Sequence, residues 1–484
     1  MADYTGITIG PIFDTLLLAH SPAAMWFASK MFSLLTENIC REVSLYENTE
    51  IISPYFNNPT EDDGIGKYHD RVIIKAAEDI DIEKVISSAK EKTSEEIIRA
   101  LGSTNDTKKA AEIKDFLNNY FQIHTARVPD GADGFNSISH ALDCLEQMPS
   151  PNVSETNNNV FKNIFKGRTF RNENVKAYLI QKYQGSSWLL KSKNALRDIS
   201  DIANNGNSED TLKRSNYYAV VEADGDGVGR YLCQQDDKSI NDFSEKCFAY
   251  AEKAVQLIKD FGGMPVYAGG DDLLFISPVY NSEKEQTVFS LCDSIQRAFN
   301  ETVNNDALSL SFGISVRYER FPLYEALNSS ITALREAKLH GGRATVTDFR
   351  KASGQAIKIF VPHKAFADFT SLLDIYKEDK SENAVKKMHS LIYTLSKHKN
   401  LLKHAPDRLT TENIIDNAFD NADQKVNKAF TDTAKKAVSS FIEKKDTSGI
   451  KLLSENDADD TLKTVTSILR ISKFFTEKEG ERNE

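Results

Sequence analysis

The stretch Tyr267–Ile276, which reads YAGGDDLLFI, constrains the fold most, because two short apolar runs flank a Gly-Gly-Asp-Asp turn. This pattern predicts a β-hairpin. Gly269 and Gly270 can adopt the positive φ values of a tight turn and leave room for a ligand beside the backbone. Asp271 and Asp272 then lie at the exposed tip, where adjacent carboxylates repel each other unless divalent cations bind between them. A solvated hairpin turn is the alternative interpretation of this stretch taken alone.

A second acidic loop lies upstream, where the run Tyr218–Ala223 leads into Asp224. The run is apolar and rich in β-branched residues, as in a buried strand, and Asp224 falls where the strand would end. Glycines at alternate positions after it free the backbone amides to turn toward an anion, as in phosphate-binding loops. An EF-hand is excluded, because it requires a side-chain oxygen at the position of Val228 and a glutamate at the position of Gln235. The glycines are Gly225, Gly227 and Gly229.

Alternating helix and strand patterns surround the two motifs. Apolar residues recur at helical spacing from Phe243 to Ile258, and Gly262-Gly263 ends that helix. Further patterns predict a helix over 284–300, a strand over 308–318, a helix over 323–339 and a strand over 344–349. The order is β-α-β-β-α-β with an added helix and strand, which predicts a ferredoxin-like sheet with the two acidic motifs on neighbouring strands. This is the architecture of the palm domain in nucleotide polymerases and cyclases.

Three stretches together resemble a known family. They are Asp224–Gly229 (DGDGVG), Gly269–Asp272 (GGDD) and the N-terminal Ile7–Leu16 (ITIGPIFDTL). The chain resembles the large subunit of Cmr-type (type III-B) CRISPR interference complexes, a palm-domain family that makes adenylate second messengers. The resemblance implies an α+β fold with two ferredoxin-like palm domains, the second catalytic, a helical insertion and a C-terminal helical bundle. A Gly-Gly-Asp-Asp turn also occurs in diguanylate-cyclase-like domains, which remain an alternative.

The resemblance implies nucleotidyl transfer on ATP, in which a hydroxyl or another nucleophile attacks the α-phosphate and pyrophosphate leaves. Two Mg²⁺ or Mn²⁺ ions held by Asp224, Asp271 and Asp272 would lower the pKa of the hydroxyl and neutralise charge on the leaving oxygens. The carbonyl of Gly225 would complete a metal shell. Asp226 is either a further ligand or a turn former. The backbone amides that would hold the triphosphate are those of Asp226, Gly227, Val228 and Gly229.

Two basic residues lie at the end of the helix predicted over 323–339. Lys338 lies within it and Arg343 just beyond it, and both would meet the β and γ phosphates. The resemblance supports Lys338 better than Arg343. The alternative is a basic helix C-terminus that the helix dipole favours.

The resemblance leaves the product open. Most relatives are expected to make cyclic oligoadenylates, whereas some members without the nuclease domain join AMP to S-adenosylmethionine. The resemblance also implies partners, namely other subunits of the effector complex, through which the guide RNA and the target RNA are mainly held. A formal net charge of −11 agrees with this, because such a chain binds nucleic acid only locally or through partners. A non-catalytic scaffold subunit is a further alternative, and the clustered carboxylates argue against it.

Many members of the family carry an HD-type nuclease domain before the first palm. Here palm-like sequence begins by about Thr5, the dipeptide His69-Asp70 lies inside the first palm, and the histidines form no ligand-spaced cluster. We therefore expect no HD nuclease domain. The five scattered cysteines lack a C-x-x-C pair, which argues against disulfides and against the zinc-binding insertion common in the family.

The patterns along the chain predict four regions. Residues 1–75 start a first, degenerate palm that forms a scaffold or one wall of the substrate cleft, and residues 76–215 form a mainly helical middle domain that could include the rest of that palm. Residues 216–350 form the catalytic palm, and residues 351–484 form a C-terminal helical domain that docks neighbouring subunits. Apolar runs long enough to span a bilayer and a signal-peptide pattern are both absent from the sequence. We therefore expect a cytoplasmic protein without membrane contact.

Overall fold

Two β-sheets with their helices make up most of the part of the chain that the computed structural model describes. The described residues are 3–57, 64–76, 80–101, 106–129, 131, 133–148, 189–192, 195–204, 216–281 and 286–363, with scattered single residues between 162 and 179 and between 366 and 474. Most of the predicted C-terminal helical domain lies outside the described residues.

The first sheet has four antiparallel strands in the order β2-β3-β1-β4. Helix α2 begins at Pro22, because the side chain of Ser21 accepts a hydrogen bond from the amide of Ala24. This helix is buried on nearly all sides, so it packs against more than its own sheet. The elements are β1 (Asp3–Gly10), α1 (Ile12–Leu17), α2 (Pro22–Val43), β2 (Thr49–Ser53), β3 (Arg71–Ala76), α3 (Ile82–Ala100), α4 (Thr107–Tyr120), β4 (Gln122–Pro129) and α5 (Gly134–Glu146).

The second sheet has six strands in the order β12-β11-β10-β7-β9-β8. Strands β10 and β11 are parallel, and the other neighbours are antiparallel. Three short elements precede it, β5 (Leu190–Ser192), β6 (Ala195–Leu196) and α6 (Ile199–Ala203). The sheet and its helices are β7 (Tyr217–Asp226), α7 (Val228–Leu232), α8 (Asp237–Phe261), β8 (Met264–Gly269), β9 (Asp272–Pro278), α9 (Val288–Val303), β10 (Ser309–Tyr318), α10 (Leu323–Leu339), β11 (Ala344–Arg350) and β12 (Ala356–Pro362).

The helices of the second sheet lie where the sequence pattern predicts them, except that one helix begins four residues later. The apolar residues of α8 are buried at the predicted spacing, and Gly262 ends the helix with a φ of 91°. Helix α10 has the predicted bounds. Helix α9 begins at Val288 rather than at residue 284, because the hydroxyl of Thr287 caps it by accepting a hydrogen bond from the amide of Ser290. Strand β12 lies beyond the last strand that the pattern predicts.

The two sheets pack on each other through their long helices. Helix α2 of the first sheet packs against β8 of the second sheet, and helix α8 of the second sheet packs against β2 of the first. Each long helix therefore contacts a strand of the other sheet's hairpin. The side-chain amide of Asn241 on α8 donates to the carbonyl of Ile51 at 3.0 Å, and Lys75 forms an ion pair with Asp237 at 2.8 Å. A continuous set of buried apolar residues joins the two halves.

This mixture of antiparallel sheets and packed helices confirms the predicted α+β fold class. Strand β4 and helix α5 complete the first sheet although they fall within the predicted middle domain, and the domain bounds themselves stay predictions. Among the helices in the described part of the chain, none is long and apolar enough to cross a membrane.

Candidate active site

The end of β7 and the β8–β9 hairpin bring the two acidic motifs together. Ala223 on β7 pairs with Leu273 on β9, so Asp224 and Asp272 stand side by side at the ends of neighbouring strands. Gly269 pairs with Asp272 to close the hairpin, and Gly270 has a φ of 66° in the turn. The topology therefore places the predicted residues Asp224, Asp271 and Asp272 at one edge of the sheet.

Gly225 lets the hairpin approach the loop. A Cβ atom at position 225 would overlap the carboxylate of Asp271 and would crowd the side chain of Val228. Burial and the charge of Asp224 raise the pKa of Asp271. A hydrogen bond from the backbone amide of Gly225 lowers this pKa by a smaller amount. A glycine is thus required here for close contact between the two motifs.

Lys338, near the end of α10, reaches the same oxygens. Its ammonium group lies 3.0 Å from Oδ2 of Asp224 and 3.0 Å from Oδ1 of Asp226. It also donates to the backbone carbonyls of Asp224 at 2.9 Å and of Gly225 at 2.5 Å. Burial would lower the pKa of Lys338, but the two carboxylates outweigh burial and raise it, so the lysine is charged.

Asp226 is held by groups of the protein itself. Its carboxylate accepts hydrogen bonds from the hydroxyls of Ser309 at 2.7 Å and Ser311 at 2.8 Å, and from the backbone amide of Arg343 at 2.8 Å. Gly342, with a φ of 72°, permits this approach, because a Cβ atom there would overlap the Asp226 carboxylate. Asp226 is buried, and its carboxylate accepts hydrogen bonds from three groups of the protein. It therefore acts as an anchor, a side chain held in one position by its own neighbours.

Arg343 contributes its backbone to this anchor and uses its side chain elsewhere. Its guanidinium donates to the carbonyls of Asp306 at 2.8 Å and Ala307 at 3.0 Å. Of the two basic residues predicted to meet phosphates, the structure therefore brings the side chain of Lys338 to the carboxylates and engages that of Arg343 with a neighbouring loop.

The carboxylates at this edge destabilise one another's charge. Withdrawal from water and the charge of Asp224 raise the pKa of Asp271 to about 6. Withdrawal from water also raises the pKa of Asp272, but this residue is exposed to solvent, so the charges of Asp271 and Asp224 are the main cause of its raised pKa. Burial and the charge of Asp224 raise the pKa of Glu222 to about 7. A bound cation would relieve this repulsion.

The donors fit a hard divalent cation. Mg²⁺ and Mn²⁺ prefer carboxylate and carbonyl oxygens, which Asp224, Asp271 and the carbonyl of Gly225 present. The ammonium of Lys338 stands in for a cation among some of these oxygens. In the described part of the chain, no three His, Cys, Asp or Glu side chains form a ready-made metal centre. Such a site would therefore depend on the backbone carbonyl as well as on the side chains.

Residues 64–70 of the first sheet's hairpin contact the acidic hairpin; the sequence analysis expected a wall from this palm but did not assign it to these residues. Gly66 bridges to Tyr267, and its carbonyl accepts a hydrogen bond from the amide of Ala268 at 2.8 Å. His69 lies 3.6 Å from where a Cβ atom of Gly270 would stand. The negative charge of Asp70 contributes to the raised pKa of Asp272. The first sheet thus forms one wall beside the carboxylates.

His69 has a structural environment. Its Nδ1 accepts a hydrogen bond from the amide of Arg71 at 3.3 Å, and its Nε2 lies 3.2 Å from the hydroxyl of Ser53. Burial and the charge of Arg71 lower the pKa of His69 to about 4, so the ring is neutral. Its two ring nitrogens both have partners within the first sheet.

Glu222 is a further acidic residue that the sequence analysis did not single out. It stands on β7 two residues before Asp224, and its Oε2 atom is buried without a hydrogen-bond partner among the described residues. The signal was present, since Glu222, Asp224 and Asp226 alternate along one strand and side chains at this spacing share a face.

A cavity of about 560 Å³ lies between α9 and the β11–β12 hairpin. Its lining includes Ser309, Gly342 and Arg343, which hold Asp226, together with His340 and His363. The cavity contains the predicted residue Arg343, but among its described lining residues there is none of the three candidate catalytic aspartates.

The comparisons with known proteins concern this second sheet and the whole fold. Residues 217–347 match the family described as Cas10/Cmr2, second palm domain. Similar solved structures include a Csm1-Csm4 cassette in complex with cA4 (13% identity, TM-score 0.56, 98% of this chain and 70% of that chain) and a Csm1-Csm4 cassette in complex with one ATP (12%, 0.56, 98% and 70%). The apo state of a type III-B Cmr-beta complex also matches (11%, 0.61, 97% and 82%). No curated protein sequence matches the chain.

These matches confirm the resemblance predicted from the motifs, at the level of a type III Cas10-like subunit. The second sheet matches the second palm domain of the Cas10/Cmr2 family, and the likeness of fold extends over nearly the whole chain. Both Csm1-containing and Cmr-beta structures are among the neighbours.

Proposed function

We propose that this type III Cas10-like chain, with its Cas10/Cmr2 palm over residues 217–347, is the nucleotidyltransferase subunit of an RNA-guided CRISPR effector complex. The observation that carries the proposal is the convergence of Asp224, Asp271 and Asp272 at one edge of that palm, beside a lysine. The substrate is ATP, and the product is a second messenger for antiviral defence.

The site residues divide the work between metal binding and nucleotide binding. Asp224, Asp271, Asp272 and the carbonyl of Gly225 would hold Mg²⁺ or Mn²⁺. Bound ions of this kind lower the pKa of an attacking hydroxyl and neutralise charge on the leaving pyrophosphate. The loop that begins at Asp226 offers its amides to the triphosphate, and the ammonium of Lys338 neutralises phosphate charge. Gly269 and Gly270 leave space beside the backbone for the nucleotide.

ATP as the nucleotide is supported by the neighbouring Csm1-Csm4 structures, which are described in complex with one ATP and with cA4. The acceptor is either a further ATP, which leads to a cyclic oligoadenylate, or S-adenosylmethionine, which leads to an AMP conjugate. The two products differ in mass and in their requirement for S-adenosylmethionine, so one incubation separates them.

Control of the reaction passes through partner subunits. The neighbours are parts of multi-subunit assemblies, and a net charge of −11 makes this chain a weak binder of RNA by itself. We expect the isolated chain to turn over ATP slowly and to ignore added RNA, whereas the assembled complex should respond to RNA that matches its guide.

The proposal is tested with the assembled complex, target RNA and radiolabelled ATP, with and without S-adenosylmethionine, and with mass analysis of the product. A parallel reaction with GTP tests a diguanylate cyclase, which would need no guide RNA. Product formation from ATP that depends on matching RNA is expected. Turnover of GTP by the isolated chain, or no nucleotide turnover by the complete complex, would contradict the proposal.

A further inference from the structure

Lys338 occupies the position of a cation among the candidate metal donors. Its ammonium group touches four oxygens at once, the carboxylates of Asp224 and Asp226 and the carbonyls of Asp224 and Gly225, all between 2.5 and 3.0 Å. Two of these, the Asp224 carboxylate and the Gly225 carbonyl, belong to the donors that would hold the metal. A lysine and a divalent ion cannot both lie among them, because like charges repel strongly at such short range.

We infer that Lys338 is a resident counter-cation that a divalent metal must displace from Asp224 and Gly225, and that Asp226 is the anchor that retains the lysine after displacement. This inference rests on the proposed function, since it assigns a second role to a residue of the same site. Lys338 then has two positions, one on the metal donors before a metal binds and one released toward the nucleotide phosphates afterwards.

The two carboxylates that contact Lys338 differ in solvent exposure, as the displacement of the lysine by a metal requires. The side chain of Asp224 is 41% exposed, whereas that of Asp226 is 10% exposed. Asp224 is thus open to an incoming ion. Asp226 is bound by two serine hydroxyls and a backbone amide and has no comparable freedom to turn toward a metal.

The displacement couples metal binding to lysine release. Before a metal binds, the ammonium compensates the negative charge of Asp224 and so keeps the loop and α10 together. When the metal takes that role, the lysine keeps its contact with Asp226 but gains the freedom to contact a phosphate. Because the lysine must be moved, its presence weakens the affinity for metal in the absence of nucleotide.

The test measures Mn²⁺ binding to the purified full chain by electron paramagnetic resonance, without nucleotide. Lys338→Gln should bind Mn²⁺ about fivefold to tenfold more tightly than the wild type, because the competitor is gone. Arg335→Gln is the matched control, since it removes one positive charge from an exposed position one turn earlier on α10, and it should change the affinity less than about twofold. Unchanged or weaker Mn²⁺ binding by Lys338→Gln would overturn the inference.

Two further variants separate this inference from the proposed function. Asp224→Asn should abolish the specific Mn²⁺ signal, and if it does not, the metal site itself is misassigned. Lys338→Arg keeps the positive charge and should bind Mn²⁺ no more tightly than the wild type. If Lys338→Gln proves unstable in a thermal unfolding scan, Lys338→Met is measured in its place, with tighter binding expected and unchanged binding as the contrary result.

Discussion

The first and second sheets have the same strand topology but differ in their charged residues. The strand orders β2-β3-β1-β4 and β8-β9-β7-β10 are equivalent, and in both sheets the central strand is followed by a short helix and a long one. Strand β7 ends in Asp224-Gly225-Asp226, whereas β1 ends at Gly10 and is followed by Pro11. The second hairpin carries Asp271 and Asp272, where the first carries His69 and Asp70.

Asp143 and Glu146 near the first hairpin are paired with Arg71, whereas burial and the charge of Glu146 raise the pKa of Asp70 to about 6. The guanidinium of Arg71 donates to Glu146 at 2.6 Å and to Asp143 at 2.7 Å, and these partners raise its pKa further. In the second sheet one lysine faces Asp224 and Asp226, while burial and the charge of Asp224 raise the pKa values of Asp271, Asp272 and Glu222. The contrast supports a wall in the first sheet and the proposed cation-binding edge in the second, where three neighbouring carboxylates have raised pKa values.

The largest expected effect comes from removing the hairpin charges. The double variant Asp271→Asn and Asp272→Asn should lower product formation by the assembled complex more than about 100-fold, because the metal donors are lost. Assembly and RNA binding should be unchanged, since both side chains lie at the hairpin tip rather than in a core. Radiolabelled ATP turnover and gel filtration of the complex measure the two properties.

Asp70→Asn is the matched change in the first sheet and should retain at least about a third of the activity, because Asp70 affects Asp272 only through its charge. If Asp70→Asn lost as much turnover as the double variant, the first sheet could not be described as a wall beside a catalytic edge in the second. Undiminished turnover by the double variant would remove the assignment of the hairpin carboxylates.

A smaller effect is expected from the glycine behind the hairpin. Gly225→Ala should lower turnover more than about tenfold, because the new Cβ displaces the carboxylate of Asp271 from its position. Gly10 ends the equivalent strand β1 and has open space where a Cβ would stand, so Gly10→Ala should be close to wild type. Steady-state turnover of both complexes measures this, and a tolerant Gly225 would show that the contact with Asp271 is dispensable.

The sequence predicts those parts of the molecule that local chemistry determines. The bounds of α10 and the end of α8 follow from apolar spacing and from a helix-ending glycine. Strand β7 and the hairpin follow from β-branched runs and turn glycines. The strand order that joins them follows from the ferredoxin-like connection pattern, so the meeting of Asp224 with Asp271 was predictable.

The remaining features depend on contacts between distant parts of the chain. Ser309 and Ser311 anchor Asp226, yet small serines on a buried strand give no signal of that role in the sequence. The contact between Gly66 and Tyr267 joins residues of different sheets, which no local pattern encodes. The shared position of Lys338 among carboxylate and carbonyl oxygens likewise requires the packed arrangement of α10 on β7.

The anchor of Asp226 predicts a difference in stability between the sheets. Asp226→Asn should cost about 2 kcal/mol of unfolding free energy, because a buried acceptor of several hydrogen bonds loses its charge. Asp143→Asn removes a half-exposed partner of Arg71 in the first sheet and should cost less than about 1 kcal/mol. Urea unfolding of both variants provides the measurement. A cost for Asp143→Asn as large as that for Asp226→Asn would contradict the buried anchor.

The smallest expected effect is a difference in pH dependence between the two hairpins in metal-free buffer. The pKa of His69 falls to about 4 from an ordinary value of 6.5, so the stabilisation by its neutral ring is present above about pH 6.5 and is lost as the pH falls toward 4. The pKa of Asp271 rises to about 6 from 3.8, so protonation stabilises the folded chain at low pH and this stabilisation is lost as the pH rises toward 6.

The two groups therefore contribute to stability with opposite slopes, which thermal unfolding at pH 7 and pH 5 with a chelator should show. His69→Asn keeps an acceptor for the amide of Arg71 but does not titrate, so its midpoint should fall less than that of the wild type on acidification. Asp271→Asn should lose the stabilising protonation, so its midpoint should fall more than that of the wild type. If both variants instead showed the same change of unfolding midpoint with pH as the wild type, that result would contradict the neutral ring of His69 in the first hairpin and the repulsion between carboxylates in the second.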